Sequence, residues 1–216
     1  DGTLTDSAPG VVGSMQHAAA ALGLAALDPA AARRFVGPPL HDNIRTLLAD
    51  NGLPATPELV ARGVAAFREH YVPVGMFDNA LYDGAAEMVA RLGAGGATLA
   101  VATSKPEPFA ARIVEHFGLA AAFAAVVGST LDGARSSKAD IVGDALARLG
   151  AGPTDRLLMI GDREHDVRGA AAHGIGCLGA LWGYGAPGEL AAAGALALLA
   201  APAEAPGAAA WALSAR

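Results

Sequence analysis

Apolar positions recur along this chain with two different periods, and the change from one to the other divides it. Over residues 11–77 the spacing is helical, as in Ile44, Leu47 and Leu48, and again in Val60, Val64, Phe67 and Tyr71. No convincing strand interrupts that stretch, so it reads as a small helical bundle, broken at Gly37-Pro38-Pro39, Gly52-Leu53-Pro54 and Val72-Pro73 because proline ends or excludes a helix interior. After Tyr82-Asp83-Gly84 short apolar runs alternate with helical stretches. The spacing predicts helices over 85–92, 108–117, 138–149 and 166–172. It predicts strands over 98–103, 125–127, 157–160 and 176–181, with a strand-like run at 195–199. Alternation of this kind specifies an α/β fold in which parallel strands are joined by helical crossovers and both sheet faces are covered. The expected organisation is a core formed by 1–10 and 83–216, with a helical insertion over 11–82. The Ala/Pro/Gly tail at 200–210 reads as a loop and a terminal helix, and no internal repeat is evident.

Ligands of such sheets sit at the carboxyl ends of the strands, and the chain places its candidate chemistry there. The apolar run 157–160 ends in Gly161-Asp162, and Asp166 follows four residues later, on the same face of a starting helix. Two acids at a sheet mouth suit a hard cation, since Mg²⁺ is held by one or two carboxylates together with water and phosphate oxygens. An N-cap with a first-turn acid is the structural alternative for this pair. The chain also opens on Asp1-Gly2-Thr3-Leu4, carries Thr103-Ser104-Lys105-Pro106 after the run 99–102, and has Lys138 in Ser136-Ser137-Lys138. Together these four stations read as a phosphate-processing site.

Composition narrows the partners. With 216 residues, 53% hydrophobic and 17% charged, the chain can bury a substantial core. A net charge of −6 offers no basic footprint for nucleic acid, so an anionic substrate needs local positive charge. Cys177 is the single cysteine, which excludes an internal disulfide or a cysteine-based zinc cluster and fits a reducing, cytoplasmic location. No stretch is long and apolar enough for a membrane helix.

The segments DGTLTDS, VATSKPEPFA, LDGARSSKADI and MIGDREHDVRGA, in this order and with a helical insertion after the first, resemble the haloacid dehalogenase superfamily, specifically its phosphoglycolate phosphatase-like branch. The resemblance extends through Phe35-Val36-Gly37-Pro38-Pro39-Leu40 and Trp182-Gly183-Tyr184-Gly185. It implies a three-layer Rossmann-like core with a parallel sheet and an inserted all-helical cap. It also implies a Mg²⁺-dependent phosphatase that hydrolyses a small phosphorylated metabolite, phosphoglycolate or a nucleoside monophosphate, as a monomer or homodimer. A sugar-phosphate mutase of the same fold and a non-catalytic phosphate-binding protein are the alternatives. Halide displacement is disfavoured, because it needs no Mg²⁺ acid cluster.

The family pattern is Asp-x-Asp-Gly-Thr, and this chain starts at the second aspartate. The expectation is therefore an upstream segment of about ten residues, ending in a nucleophilic aspartate two positions before Asp1. Five or so apolar side chains on such a strand would contribute roughly 10 kcal/mol by burial, comparable with the whole stability of a domain.

The resemblance assigns roles to particular residues. The upstream aspartate attacks phosphorus and forms an aspartyl-phosphate; Asp1 protonates the leaving alkoxide and then activates water. The Thr103 hydroxyl, Lys138 and the backbone N–H groups of Gly2 and Ser104 hold the phosphoryl oxygens. Mg²⁺ is held by the upstream carboxylate, the Asp1 backbone carbonyl and Asp162, with Asp166 in direct or water-mediated support. A carboxylate meeting a phosphate at about 4 Å is repelled by about 4 kcal/mol per unit-charge pair at an effective dielectric of about 20, which explains the need for opposing charge. In the cap, Arg34, His41 and Arg45 are candidate anion-binding residues that set specificity, Arg45 being favoured. Lys105 is read as an exposed residue at a helix start, and His165 and His173 as solvent- or helix-facing. Arg135 is either extra positive charge near the phosphate or a solvated loop residue. Asp6 either supports the site from behind or caps the helix beginning near Pro9. Residues 7–10 and 77–83 are read as hinges.

Overall fold

The computed structural model describes residues 1–152 and 154–214. It divides into two compact units, Asp1–Asp6 with Leu81–Arg216, and Ser7–Ala80. The helical unit thus begins and ends slightly earlier than the 11–82 expected, because the first helix already starts at Ala8.

The chain enters through β1 (Thr5–Asp6) and then forms α1 (Ala8–Ala21), α2 (Pro29–Ala32), α3 (Leu40–Asp50) and α4 (Pro57–His70). Each long helix buries the stripe its sequence specifies. In α3 this is Ile44, Leu47 and Leu48, and in α4 it is Val60, Val64 and Phe67. Pro57 sits in the first turn of α4, where its missing N–H costs nothing, and the Thr56 hydroxyl accepts from Leu59 N at 3.3 Å. The break expected at Val72-Pro73 takes another form: α4 runs straight into a π-helical turn, Tyr71–Gly75, with Met76 N donating to Tyr71 O at 2.7 Å. A wider turn accommodates the proline that a regular α-helix would reject. The turn returns the chain against the start of α1. Gly10 N donates to Asp78 O at 2.9 Å, and a Cβ on Gly10 would lie 1.7 Å from Gly75 O.

The core unit continues through β2 (Ala80–Leu81), which pairs with β1, then α5 (Ala85–Ala94), β3 (Ala100–Pro106), α6 (Glu107–His116), β4 (Ala125–Ser129), α7 (Lys138–Leu149), β5 (Leu158–Gly161), α8 (Glu164–Ala171), β6 (Gly176–Ala180), α9 (Glu189–Ala192), β7 (Ala197–Leu199) and α10 (Ala205–Ser214). β3 pairs with β4, and β5 with β6 and then β7, every pair being parallel. Among the described residues these form two ladders, where the sequence led us to expect one sheet. They are tied at their carboxyl ends by residues 1–4, described below.

β6 shows why the core has three layers. Neighbouring residues of a strand face opposite ways, and here both directions are covered. Cys177 packs among Val142, Val167 and Ala170 of α7 and α8, while Leu178 packs among Met88, Ala205 and Ala209 of α5 and α10. A strand buried on both faces reads as a continuous apolar run, and that is how 176–181 reads. Among the described residues no helix is long and apolar enough to cross a membrane.

The Gly10–Gly75 approach is backbone against backbone, so it cannot relax by turning a side chain. Gly10→Ala should destabilise the protein by about 1–3 kcal/mol or more, read as a lowered denaturant midpoint; a loss below about 1 kcal/mol would show that the contact is not as drawn.

Candidate active site

Four chain segments meet at the carboxyl ends of β3 and β5: residues 1–3, 103–105, 138 and 162–166. β5 delivers Asp162 directly after Gly161, and the first turn of α8 returns Asp166. Asp166 Oδ2 accepts the backbone N–H groups of Asp162 at 3.0 Å and Arg163 at 3.1 Å, closing the helix start. Its Oδ1 lies 2.7 Å from Lys138 Nζ. The helix-capping alternative for Asp166 is therefore realised, alongside an ion pair. Lys138 begins α7 just after Ser137, whose hydroxyl caps that helix by accepting from Asp140 N at 3.1 Å. Its ammonium also donates to Ala102 O at 3.1 Å, linking the end of β3 to the start of α8.

Asp162 is 3% exposed. Thr3 Oγ1 donates to its Oδ1 at 3.2 Å and Tyr184 N to its Oδ2 at 2.9 Å. Burial pushes its carboxyl above the usual carboxylate range, and the nearby Asp166 charge adds to this; the Tyr184 and Thr3 hydrogen bonds oppose the shift. The backbone on either side is packed flush against it. Gly2 has φ +73°, and a Cβ there would lie 2.1 Å from Asp162 Oδ2; a Cβ on Gly183 would lie 2.3 Å from Asp162 Cβ. Only glycine permits these approaches.

Asp1 pairs with a residue that the sequence reading set aside. Lys105 Nζ lies 2.9 Å from Asp1 Oδ2, and the lysine side chain is only 8% exposed. The expectation of an exposed helix-start residue is corrected, because Lys105 belongs to β3 and a bulge aims it inward. The register passes from Thr103↔Gly128 to Pro106↔Ser129, leaving residues 104 and 105 as the irregularity. Lys105 N donates to Thr103 Oγ1 at 3.2 Å, and Ser129 Oγ to Ser104 O at 2.8 Å, which hold the bulge. A Cβ on Gly128 would lie 2.4 Å from Lys105 O. The pattern Thr-Ser-Lys followed by a proline carried this signal, since a proline can end a strand as well as open a helix.

The remaining candidates are placed as follows. Thr103 is partly buried with its hydroxyl in the bulge, and Ser104 is exposed. Arg135 is ion-paired with Asp144 and Glu107 and donates to Gly128 O at 2.8 Å, so it braces the 130–136 loop. Asp6 is no helix cap: its Oδ1 accepts from Tyr184 Oη at 2.6 Å, and the N-cap of α1 is Ser7. His165 is exposed, and His173 is exposed with Nε2 2.8 Å from Ala139 O. In the helical unit, Arg34 and Arg45 are exposed and paired with Asp50 and Asp42, and His41 is half-buried in the first turn of α3. Exposed pairs of this kind contribute little to stability.

The fit of a hard cation can be judged from the donors. The two lysines are committed to Asp1 and Asp166, so among the described residues Asp162 has no ion-pair partner. Buried carboxylates are paired or coordinate metals, and each oxygen of Asp162 holds a single hydrogen bond, leaving acceptor capacity. Asp162 therefore fits a Mg²⁺ ligand. Asp166 has both oxygens engaged, which suits support through Lys138 and the backbone. Among the described residues no three acidic, histidine or cysteine side chains are spaced to enclose a metal by themselves.

The profile of the haloacid dehalogenase-like hydrolases matches residues 1–174. The tyrosine-protein kinase PtkA of Mycobacterium tuberculosis is 45% identical over 86% of this chain, and the chain spans 61% of that relative's length. A 5'-nucleotidase of Pseudomonas aeruginosa is 38% identical over 89% of this chain and 84% of its own. A phosphoglycolate phosphatase of Mesorhizobium japonicum is 33% identical over 85% and 81%. Among solved structures, a predicted phosphatase from Clostridium acetobutylicum superposes with a TM-score of 0.86 at 36% identity, covering 96% of this chain and 94% of that one.

An acid whose folded-state pKa is raised holds its proton more tightly when folded. Its stabilisation is full below the ordinary carboxylate pKa of about 3.9 and is lost as pH rises through the raised value. At pH 7 and without metal, ionised Asp162 is thus a cost. Asp162→Asn can keep both hydrogen bonds, so the metal-free variant should have a higher urea midpoint than the wild type at pH 7, with the gap closing on acidification. A lower midpoint would contradict the assigned environment.

Proposed function

The chain belongs to the haloacid dehalogenase-like hydrolases, in their phosphoglycolate phosphatase-like branch, and we propose that it is a Mg²⁺-dependent phosphatase of small phosphomonoesters. The observation that carries this reading is the gathering of Asp1, Asp162 and Asp166 with Lys105 and Lys138, while among the described residues Asp162 is the one of the three acids with no lysine or arginine partner. Asp162, with Asp166 behind it, would hold Mg²⁺, which supplies the charge that lets a phosphate approach these acids.

The chain's own residues would divide the remaining work. Lys138, fixed by Ala102 O and Asp166, presents a fixed positive charge beside the phosphoryl group. Thr103 and the N–H groups of Gly2 and Ser104 are the proposed donors to its oxygens. Asp1 is the proposed acid and base, with Lys105 2.9 Å from its Oδ2 to hold it in place. The family pattern assigns the attack on phosphorus, and the aspartyl-phosphate it forms, to an aspartate two positions ahead of Asp1. The helical unit, with Arg34, His41 and Arg45, is the proposed source of substrate selection. Similarity to a 5'-nucleotidase and to phosphoglycolate phosphatases favours nucleoside monophosphates and phosphoglycolate as substrates.

The 45% identity to PtkA favours a second reading, transfer of a nucleotide γ-phosphoryl group to a protein tyrosine hydroxyl, with the hydroxyl proton passing to a base and the nucleoside diphosphate leaving. Labelled γ-phosphate appearing on protein tyrosine would support it, and label appearing only as inorganic phosphate would exclude it.

The test is phosphate release from a panel of small phosphomonoesters by the full-length protein, with Mg²⁺ and with a chelator. Release is expected with Mg²⁺ alone, and no release from any ester would refute the reading. Asp1→Asn should lower kcat about 10²- to 10⁴-fold while leaving Mg²⁺ dependence within about twofold; undiminished turnover would remove Asp1 from the chemistry.

A further inference from the structure

Asp162 is held from one side by Gly2 and Thr3, and from the other by the loop that follows β6. Several polar anchors of that loop end on two other pieces of chain. Trp182 Nε1 donates to Thr3 O at 3.0 Å, and Tyr184 Oη donates to Asp6 Oδ1 at 2.6 Å. Tyr184 N donates to Asp162 Oδ2 at 2.9 Å. At its far end Glu189 closes the loop: Oε2 accepts from Ala186 N at 2.9 Å, while Oε1 accepts from Arg163 Nε at 2.7 Å and Glu164 N at 2.9 Å. Residues 182–189 are thus a strap joining the Asp1–Asp6 segment to the turn that carries Asp162.

We propose that Glu189 and Tyr184 are positioning residues that fix the orientation of Asp162 for a divalent cation without touching it. This rests on the metal-dependent reading given above. Three features carry it. Glu189 bonds both the strap and the residues directly following Asp162, so its loss frees the two relative to each other. Tyr184 contacts Asp162 through its backbone and Asp6 through its side chain, so the phenol decides where the N–H points. Gly183, between the two anchors, lies flush against Asp162 and leaves no slack. Burial pushes the Glu189 carboxyl up, but the N–H groups of Glu164, Ala186 and Arg163 outweigh it and bring it down to about 2, so the clamp is ionised at neutral pH. Outer residues that orient a metal ligand commonly contribute about 10- to 100-fold in affinity or activity.

The test measures Mn²⁺ binding by electron paramagnetic resonance on the full-length protein, which needs no substrate, beside thermal melting and phosphate release. Glu189→Gln keeps an oxygen for Arg163 and Glu164 but turns an amide toward Ala186 N, and Tyr184→Phe removes the phenol's bond to Asp6 while leaving the backbone N–H to Asp162 in place. Both variants should bind Mn²⁺ about tenfold more weakly. Substrate KM should be unchanged, and excess metal should restore kcat. Affinity within about twofold of wild type in either folded variant overturns the proposal, as does a lowered melting temperature with unchanged affinity. If the wild type binds no Mn²⁺ the proposal also falls. If it binds Mn²⁺, loses affinity in both variants and yet releases no phosphate, the phosphatase reading fails and the positioning role stands.

Discussion

A carboxylate kept from water with no cation of its own is the constraint around which the core unit is arranged. Desolvating Asp162 is unfavourable, and the hydrogen bonds that offset this among the described residues come from two neutral donors, the Thr3 hydroxyl and the Tyr184 N–H. The lysines that could have neutralised it are each held by another acid, Lys105 by Asp1 and Lys138 by Asp166. The result is an oriented, under-compensated negative charge at the carboxyl end of β5, which the proposed Mg²⁺ would neutralise.

The two lysine pairs do different work because their backbones differ. Lys138 comes from a helix start, and its ammonium reaches both the Ala102 carbonyl of β3 and Asp166 in the first turn of α8, so it fixes two elements while presenting charge. Lys105 comes from a bulge, and its inward aim depends on three small features: the Thr103 hydroxyl, the Ser129 hydroxyl and the missing side chain at Gly128. A regular strand would alternate and send successive side chains to opposite faces. The irregularity places Lys105 at the strand mouth beside Asp1.

Periodicity and spacing carried much of this in advance. The stripes of α3 and α4, the start of α7 at Lys138, and the acids four residues apart at 162 and 166 all follow from local rules whose physics acts over one or two helical turns. The doubly buried β6 was equally legible, since a strand covered on both sides has no polar face. Three features escaped for one reason, that their cause lies elsewhere in the chain. The π-helical turn at Tyr71–Gly75 depends on what packs against it, because proline alone signals only a break. Lys105 was indistinguishable from a solvated lysine until the bulge and Asp1 were placed. Glu189 resembles any first-turn acid of a short helix, and its partners Arg163 and Glu164 are 25 or more positions away. Arg135 remained open for the same reason, and Asp144 and Glu107 decide it.

Residues 1–4 have neither helix nor strand to hold them, yet they carry Asp1, Gly2 and Thr3. Their geometry must come from long-range bonds, and the separations are large: 159 residues from Thr3 to Asp162, 179 from Thr3 to Trp182, and 178 from Asp6 to Tyr184. Loop-closure entropy must be overcome before such bonds contribute, so the expected order places β5, α8 and β6 before the site. That order has a consequence for chemistry. The segment bearing Asp1, the proposed acid–base residue, is bonded by the same loop that bonds Asp162, so a displacement of either is transmitted to the other through Tyr184.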